Sequence, residues 1–129
     1  MTPVLLDTHV FVWALVDTAR VPDAAWPVLQ DPTQPLLLSI ASAWELAIKS
    51  AMGRIDLPGG VQRFVAEGCR QTDVQLLGID LAHTAEVARM PPHHRDPFDR
   101  MLVAQARVER LRLLSYDAAL AAYACPRAG

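Results

Sequence analysis

The stretch VLLDTHVFVWAL at residues 4–15 sets the fold that we expect. Its first part, Val4–Leu6, is a short apolar run that ends at Asp7, and a helix-like stretch follows from Thr8 to Leu15. A short run without polar alternation is typical of a strand buried on both faces of a parallel sheet. We therefore expect a buried strand that leads directly into a helix, with Asp7 at the carboxyl end of the strand.

Strands and helices continue to alternate along the chain. The pattern predicts further strands over residues 36–38, 74–79 and 111–115, helices over 23–30, 40–51, 58–70, 81–89 and 96–109, and a last short helix from Asp117. Successive strands of this kind need crossover connections, which give a mostly parallel sheet covered by helices on both faces. The expected fold class is α/β, in a single domain over residues 1–129.

Apolar positions in the third predicted helix recur at the spacing of one helix face. They are Ile40, Trp44, Ala47, Ile48 and Ala51. Such a stripe predicts a face packed on the core. The three tryptophans of the chain fit stripes of this kind, so we expect Trp13, Trp26 and Trp44 to be core residues rather than platforms for nucleic-acid bases.

Composition narrows the class of protein. Hydrophobic residues make up 52% of the chain and the net charge is −2, which argues against a protein that coats nucleic acid by bulk electrostatics. The apolar runs are far shorter than a membrane span requires, and Asp7 interrupts the N-terminal run before it could serve as a signal sequence. We expect a cytoplasmic protein without a membrane segment.

Cysteines and histidines give no metal-site pattern. Cys69 and Cys125 lack the spacing of a zinc site or of a disulfide framework. His93 and His94 lie in a proline-flanked loop, where we expect solvated side chains. His9 could approach Asp7, although a partly buried helix histidine is the commoner case.

Four carboxylates are the candidate site. Asp7 and Asp117 come directly after predicted strands, and Glu45 and Asp99 lie near the starts of helices. In open α/β sheets, ligands bind beyond the carboxyl ends of the strands. A cluster of carboxylates at that edge suits magnesium, which prefers hard oxygen ligands.

Each carboxylate also has a structural alternative. Asp7 and Asp117 could cap helices, and Asp99 would favour the positive end of any helix that Asp96 caps. Glu45 could complete a capping box with Ser42, although this helix is expected to begin at Ser39, or it could pair with Lys49 one turn on. These alternatives remain open at the level of single residues.

Four segments in register resemble PIN-domain ribonucleases of the VapC toxin type. They are LLDTHVFVWAL at residues 5–15, SAWELAIK followed by GRIDLP at 42–49 and 53–58, HRDPFDRMLVAQA at 94–106, and LLSYD at 113–117. Together they span nearly the whole chain in the order typical of that family.

The resemblance implies a metal-dependent endoribonuclease that uses Mg²⁺, with Mn²⁺ as an alternative ion. The family's acidic residues fall on Asp7, Glu45, Asp99 and Asp117, with Asp7 and Asp99 expected to bind the metal directly. Asp96 matches a supporting position. Thr8, Ser42 and Arg100 lie near these acids in the sequence and could assist positioning, and their roles stay open.

The resemblance also implies an assembly and a strand order. The expected partners are a VapB-like antitoxin, an RNA substrate and a second copy of the chain in a homodimer. The expected sheet order is 3-2-1-4-5, with the fifth strand short or missing because residues 123–129 are poor in strand-forming residues.

Two other functions are compatible with a parallel α/β sheet that carries carboxylates at its edge. A phosphoacceptor signalling domain also places aspartates at strand ends and binds magnesium, but it needs a late lysine, and the only lysine here is Lys49. An inactive PIN-like module would bind RNA without cutting it, which an intact set of four acids disfavours.

Overall fold

A computed structural model describes residues 1–92, 95–123 and 127–128. Its centre is a four-stranded parallel sheet in the order β3-β2-β1-β4. The strands are β1 (Val4–Leu6), β2 (Leu36–Ser39), β3 (Val74–Leu77) and β4 (Arg112–Leu114). The predicted α/β class and the order of these four strands are confirmed.

Helices lie on both faces of the sheet. They are α1 (Thr8–Val16), α2 (Trp26–Leu29), α3 (Ile40–Ala51), α4 (Val61–Thr72), α5 (Leu81–Arg89) and α6 (Pro97–Glu109). Short 3-10 helices cover Thr18–Arg20, Asp23–Ala25 and Ala118–Ala122. None of these helices, within the part of the chain that the structure describes, is long and apolar enough to span a bilayer.

Strand β1 lies between two hydrophobic cores. Val4 and Leu6 point into the core that contains Phe11 of α1, whereas Leu5 points into the core that contains Leu102 of α6. Successive side chains of a strand alternate between its faces, so a strand with no polar residue must be covered on both sides. This burial explains why β1 reads as an uninterrupted apolar run.

Two predicted helices differ in extent from the observed ones. The predicted helix 58–70 begins only at Val61, because Gly59 and Gly60 adopt positive φ angles of 82° and 89°, which a helix cannot accommodate. The predicted helix 23–30 is split into the 3-10 turn Asp23–Ala25 and the single turn of α2.

The predicted core face of α3 is wrong. Ile40, Trp44 and Ile48 are exposed, and 59% of the surface of Trp44 is accessible to solvent. The ring of Trp44 makes an edge contact with the ring of Phe98, with 5.1 Å between the ring centres. The other face is the buried one and carries Ala41, Ser42, Glu45 and Leu46. Trp13 and Trp26 pack against the core as predicted.

The fifth strand reduces, among the described residues, to one parallel bridge between Leu113 and Arg127. The prediction of a short or missing strand otherwise concerns residues 124–126 and 129, which lie outside the described residues, as do His93, His94 and Cys125. Cys69 is a buried free thiol, and burial raises its pKa, so it stays protonated and unreactive.

Candidate functional site

The carboxyl edge of the sheet carries all four predicted carboxylates. Asp7 follows β1 and Asp117 follows β4 within three residues, while Glu45 lies in the second turn of α3, which continues directly from β2. Helix α6 precedes β4 and runs back along the sheet, so its first turn, with Asp99, lies at the same edge. The contact between Trp44 and Phe98 brings the α3 and α6 segments together beside these residues.

Asp7 is buried and holds two structural contacts. Only 3% of its surface is exposed; one carboxylate oxygen accepts the backbone N–H of His9 at 3.1 Å, and the other accepts the hydroxyl of Ser115 at 2.6 Å. The first contact caps α1, as the structural alternative predicted. Each carboxylate oxygen accepts two hydrogen bonds, so both oxygens of Asp7 keep a lone pair for a cation.

Ser115 is a site residue that sequence reasoning missed. Its buried hydroxyl donates to Asp7 and accepts the backbone N–H of Asp117 at 3.2 Å, which connects the two strand ends. Asp7 and Asp117 line one cavity of about 340 Å³. The only signal in the sequence is the position of Ser115 between a buried strand and Asp117.

Glu45 is buried with only 4% exposure, and two donors bind its carboxylate. Its Oε1 lies 2.9 Å from the hydroxyl of Thr8 and its Oε2 lies 2.7 Å from Nζ of Lys49. The predicted ion pair is therefore confirmed. Because Thr8 directly follows Asp7, this contact joins α3 to the end of β1.

The capping box proposed for Glu45 does not form. Helix α3 begins after Ser39, whose hydroxyl accepts the backbone N–H of Ala41 at 3.0 Å. Ser42 instead lies 2.7 Å from the hydroxyl of Thr8. Since Thr8 carries a single hydroxyl proton, donating it to Glu45 leaves Ser42 as the donor to Thr8.

The remaining acids lie at helix starts. Asp96 caps α6 by accepting from the backbone of Phe98 and of Asp99 at 2.9 and 3.2 Å, which confirms its predicted capping role. Asp117 caps the 3-10 helix by accepting from Ala119 at 2.9 Å. Asp99 is half-buried in the first turn of α6.

Arg100 has a structural function in this arrangement. Its guanidinium donates to the carbonyl oxygens of Val87 and Pro91, both at 3.1 Å, and to the hydroxyl of Tyr123 at 3.2 Å. These contacts hold the segment after α5 against α6.

His9 is more exposed than expected and borders the acidic cavity. Its side chain is 53% exposed, its Nδ1 lies 3.8 Å from Asp7, and its ring stacks on Trp13 at 5.6 Å between ring centres. Tyr116 and Arg20 line the same cavity. Partial burial raises the pKa of Tyr116 further above physiological pH.

Among the described residues, the three side chains of metal-ligand type that bring their ligand atoms within 4.8 Å of one another are Asp80, His83 and Glu109, near the opposite end of α6, and not the four predicted acids. His83 is fully buried; its Nδ1 accepts the backbone N–H of Asp80 at 3.1 Å, and its Nε2 lies 3.2 Å from Glu109. His83 thereby completes a capping box with Asp80 at the start of α5. The group therefore has a structural role as a helix cap.

The family model of the PIN domain matches residues 4–125. Ribonuclease VapC22 of Mycobacterium tuberculosis is 30% identical over 98% of this chain and 96% of its own length. Ribonuclease VapC16 of the same organism is 38% identical over 45% of this chain, an alignment that covers 41% of that relative.

A solved structure shares the fold. A chain in the crystal structure of VapBC2 from Rickettsia felis, bound to a DNA fragment from their promoter, superposes with a TM-score of 0.69 at 12% identity. The match covers 92% of this chain and 91% of that one.

Proposed function

This chain belongs to the PIN-domain family, in the branch of the VapC ribonucleases, and on that premise we propose that it is the toxin of a type II toxin–antitoxin system, an endoribonuclease that hydrolyses RNA phosphodiester bonds. One observation carries the proposal. Asp7 and Asp117 line a single cavity at the carboxyl edge of the sheet, and Ser115 ties them together. The domain is proposed to span residues 1–129.

The chemistry of the carboxylates at this edge suits a divalent cation, which prefers hard oxygen ligands. Asp7 and Asp117 line the cavity of about 340 Å³, whereas Glu45 and Asp99 lie outside its lining, and among the described residues no three of the four acids bring ligand atoms within 4.8 Å of one another. Asp7 and Asp99 would hold Mg²⁺ or Mn²⁺ directly, and Glu45 and Asp117 would complete the acidic pocket directly or through water. When bound, such an ion lowers the pKa of water and stabilises negative charge on a phosphoryl group.

The chain's own residues fix the geometry of this pocket. Ser115 and the backbone of His9 hold Asp7 in one orientation, and Thr8 holds Glu45. Tyr116 borders the cavity as a neutral phenol, and His9 borders it from α1. Carboxylates held in this way need little reorganisation to hold a cation.

The structure disfavours a phosphoacceptor domain. That function needs a lysine beside the acceptor aspartate, and Lys49, the only lysine of the chain, is bound to Glu45 in α3. An inactive RNA-binding module would have no use for buried acids such as Asp7 and Glu45 beside the substrate surface, since they repel phosphate.

We expect the purified chain to cleave labelled single-stranded RNA in MgCl₂ or MnCl₂ and to stop when EDTA is added. Re-addition of Mg²⁺ should restore cleavage, because we expect the chain to stay folded without the ion. Gel analysis of the products and a thermal melt under each condition check this. Cleavage that persists in EDTA would contradict the metal-dependent mechanism, and RNA bound but never cut would favour the inactive module.

We further expect a VapB-like antitoxin as partner, a homodimeric toxin and a cytoplasmic site of action. An exposed apolar stripe on α3, formed by Ile40, Trp44 and Ile48, supports the homodimer, because a second copy of the chain could cover it. Sedimentation of the purified chain and co-purification with the protein encoded beside it provide the measurements. A monomer at high concentration that retains no neighbour-encoded protein would count against both partners.

A further inference from the structure

A second cavity adjoins the acidic one. It encloses about 300 Å³ between α1, the helix Thr18–Arg20 and the end of α3, and it shares His9, Trp13 and Arg20 with the cavity of Asp7 and Asp117. The two cavities are therefore direct neighbours that share these three side chains as a common border.

The charge of this second cavity is opposite to that of the first. Arg20, Lys49 and Arg54 line it, with Asp17 as the one carboxylate among its lining residues. Lys49 is committed to Glu45, and Arg20 pairs with Asp17 at 3.3 Å while 67% of its side chain stays exposed. The cavity is thus cationic directly beside an anionic one.

Of the three cations that line this cavity, Arg54 is the one whose side chain has no partner among the described residues. Within the described part of the chain, no hydrogen bond or ion pair engages its guanidinium. Its backbone N–H donates to the carbonyl of Lys49 at 2.9 Å, which fixes the turn after α3 and so the position from which the side chain extends. A planar guanidinium of this kind suits bidentate contact with phosphate.

We propose that this cavity binds the RNA phosphate adjacent to the scissile one, with Arg54 as its main contact and Arg20 at the junction of the two cavities. The proposal rests on the proposed function, because it places the scissile phosphate beside Asp7 and Asp117. Sites for single-stranded nucleic acid combine a cationic groove with aromatic surface. Here the stacked rings of His9 and Trp13 form the shared wall beside the cations.

The test measures RNA binding separately from cleavage. Fluorescein-labelled single-stranded RNA is titrated in EDTA against the Asp7→Asn chain, with and without Arg54→Gln, and anisotropy is followed at several salt concentrations. We expect Arg54→Gln to weaken binding roughly tenfold and to reduce the magnitude of the salt slope by about 0.7, as the loss of one phosphate contact to a single strand does. Arg20→Gln should act in the same direction.

A matched control removes a cation elsewhere. Arg70 lies on α4, paired with Glu67 at 2.8 Å, so Arg70→Gln makes the same change in net charge away from this cavity. It should leave RNA affinity within twofold or so of the parent, as a surface change outside the contact does. Equal weakening by Arg54→Gln and Arg70→Gln would overturn the proposal, because bulk charge would then explain both.

Cleavage kinetics give an independent readout. In the chain with Asp7 intact, Arg54→Gln should raise KM for the RNA and leave kcat and the thermal midpoint unchanged, the pattern of a lost binding contact. A fall in kcat with unchanged KM would overturn the proposal. If no RNA is cleaved by the parent chain, the proposed function fails, whereas the binding difference between Arg54→Gln and Arg70→Gln still decides this inference.

Discussion

Asp7→Asn is expected to remove RNA cleavage while the chain stays folded. Asparagine keeps the shape of the side chain and one oxygen that can cap α1 through the N–H of His9. The change removes a negative charge from the acidic pocket, so cation affinity should fall, and cleavage should drop by several orders of magnitude. Growth arrest on expression should disappear with it.

The thermal midpoint of Asp7→Asn, measured with and without Mg²⁺, distinguishes a metal-binding role of Asp7 from a purely structural role as a helix cap. With fewer like charges at the sheet edge, the metal-free Asp7→Asn chain should melt at the parent temperature or slightly above it, but added Mg²⁺ should no longer raise the midpoint. Asp31→Asn is the matched control, since Asp31 is bound to Thr33 in a surface turn. If Asp7→Asn unfolds, Asp7 is a structural cap, and if it folds and cleaves at the parent rate, the site lies elsewhere.

The sheet and its site edge were predictable because burial leaves a direct trace in the sequence. Strand β1 is covered on both faces, so it reads as Val-Leu-Leu, and the first polar residue after it, Asp7, marks its carboxyl end. Asp96 and Pro97 mark the start of α6 equally well, because a cap and a first-turn proline act through the local backbone alone.

Helix α3 shows why the rest was not predictable. The apolar stripe rule assumes that the apolar face is the buried one. Here the buried face carries Ser42 and Glu45, and Thr8 and Lys49 satisfy their polar groups. Thr8 lies 34 and 37 residues away in the chain, so no local pattern could reveal that these polar side chains have partners.

The same helix resolves a choice that the sequence left open. An ion pair with Lys49 and a role as metal ligand were rival explanations for Glu45. The structure shows the ion pair at 2.7 Å and places Glu45, through Thr8, beside the end of β1. Glu45 can serve both as the partner of Lys49 and as a metal ligand if Lys49 neutralises its charge while no cation is bound.

Lys49→Met is therefore expected to destabilise the metal-free chain and to strengthen cation binding. Glu45 would lose its cationic partner and retain the hydroxyl of Thr8 as its remaining donor, at only 5% side-chain exposure. Removing one partner of a buried pair costs about 3–5 kcal/mol, and because a third of the Lys49 side chain reaches solvent we expect about 1–3 kcal/mol. A divalent cation nearby offsets this unpaired charge, so Mg²⁺ should raise the midpoint more than in the parent.

Urea unfolding in EDTA and in MgCl₂ measures both effects on one preparation. Lys49→Arg keeps the charge and should stay near the parent, whereas adding Glu45→Gln to Lys49→Met should recover most of the lost stability, because the unpaired charge is then gone. Loss of stability that Glu45→Gln does not relieve would mean that the aliphatic stem of Lys49, not its charge, stabilises α3. Unchanged Mg²⁺ affinity in Lys49→Met would mean that Glu45 lies beyond the reach of the cation, which would leave Asp7, Asp99 and Asp117 to hold it.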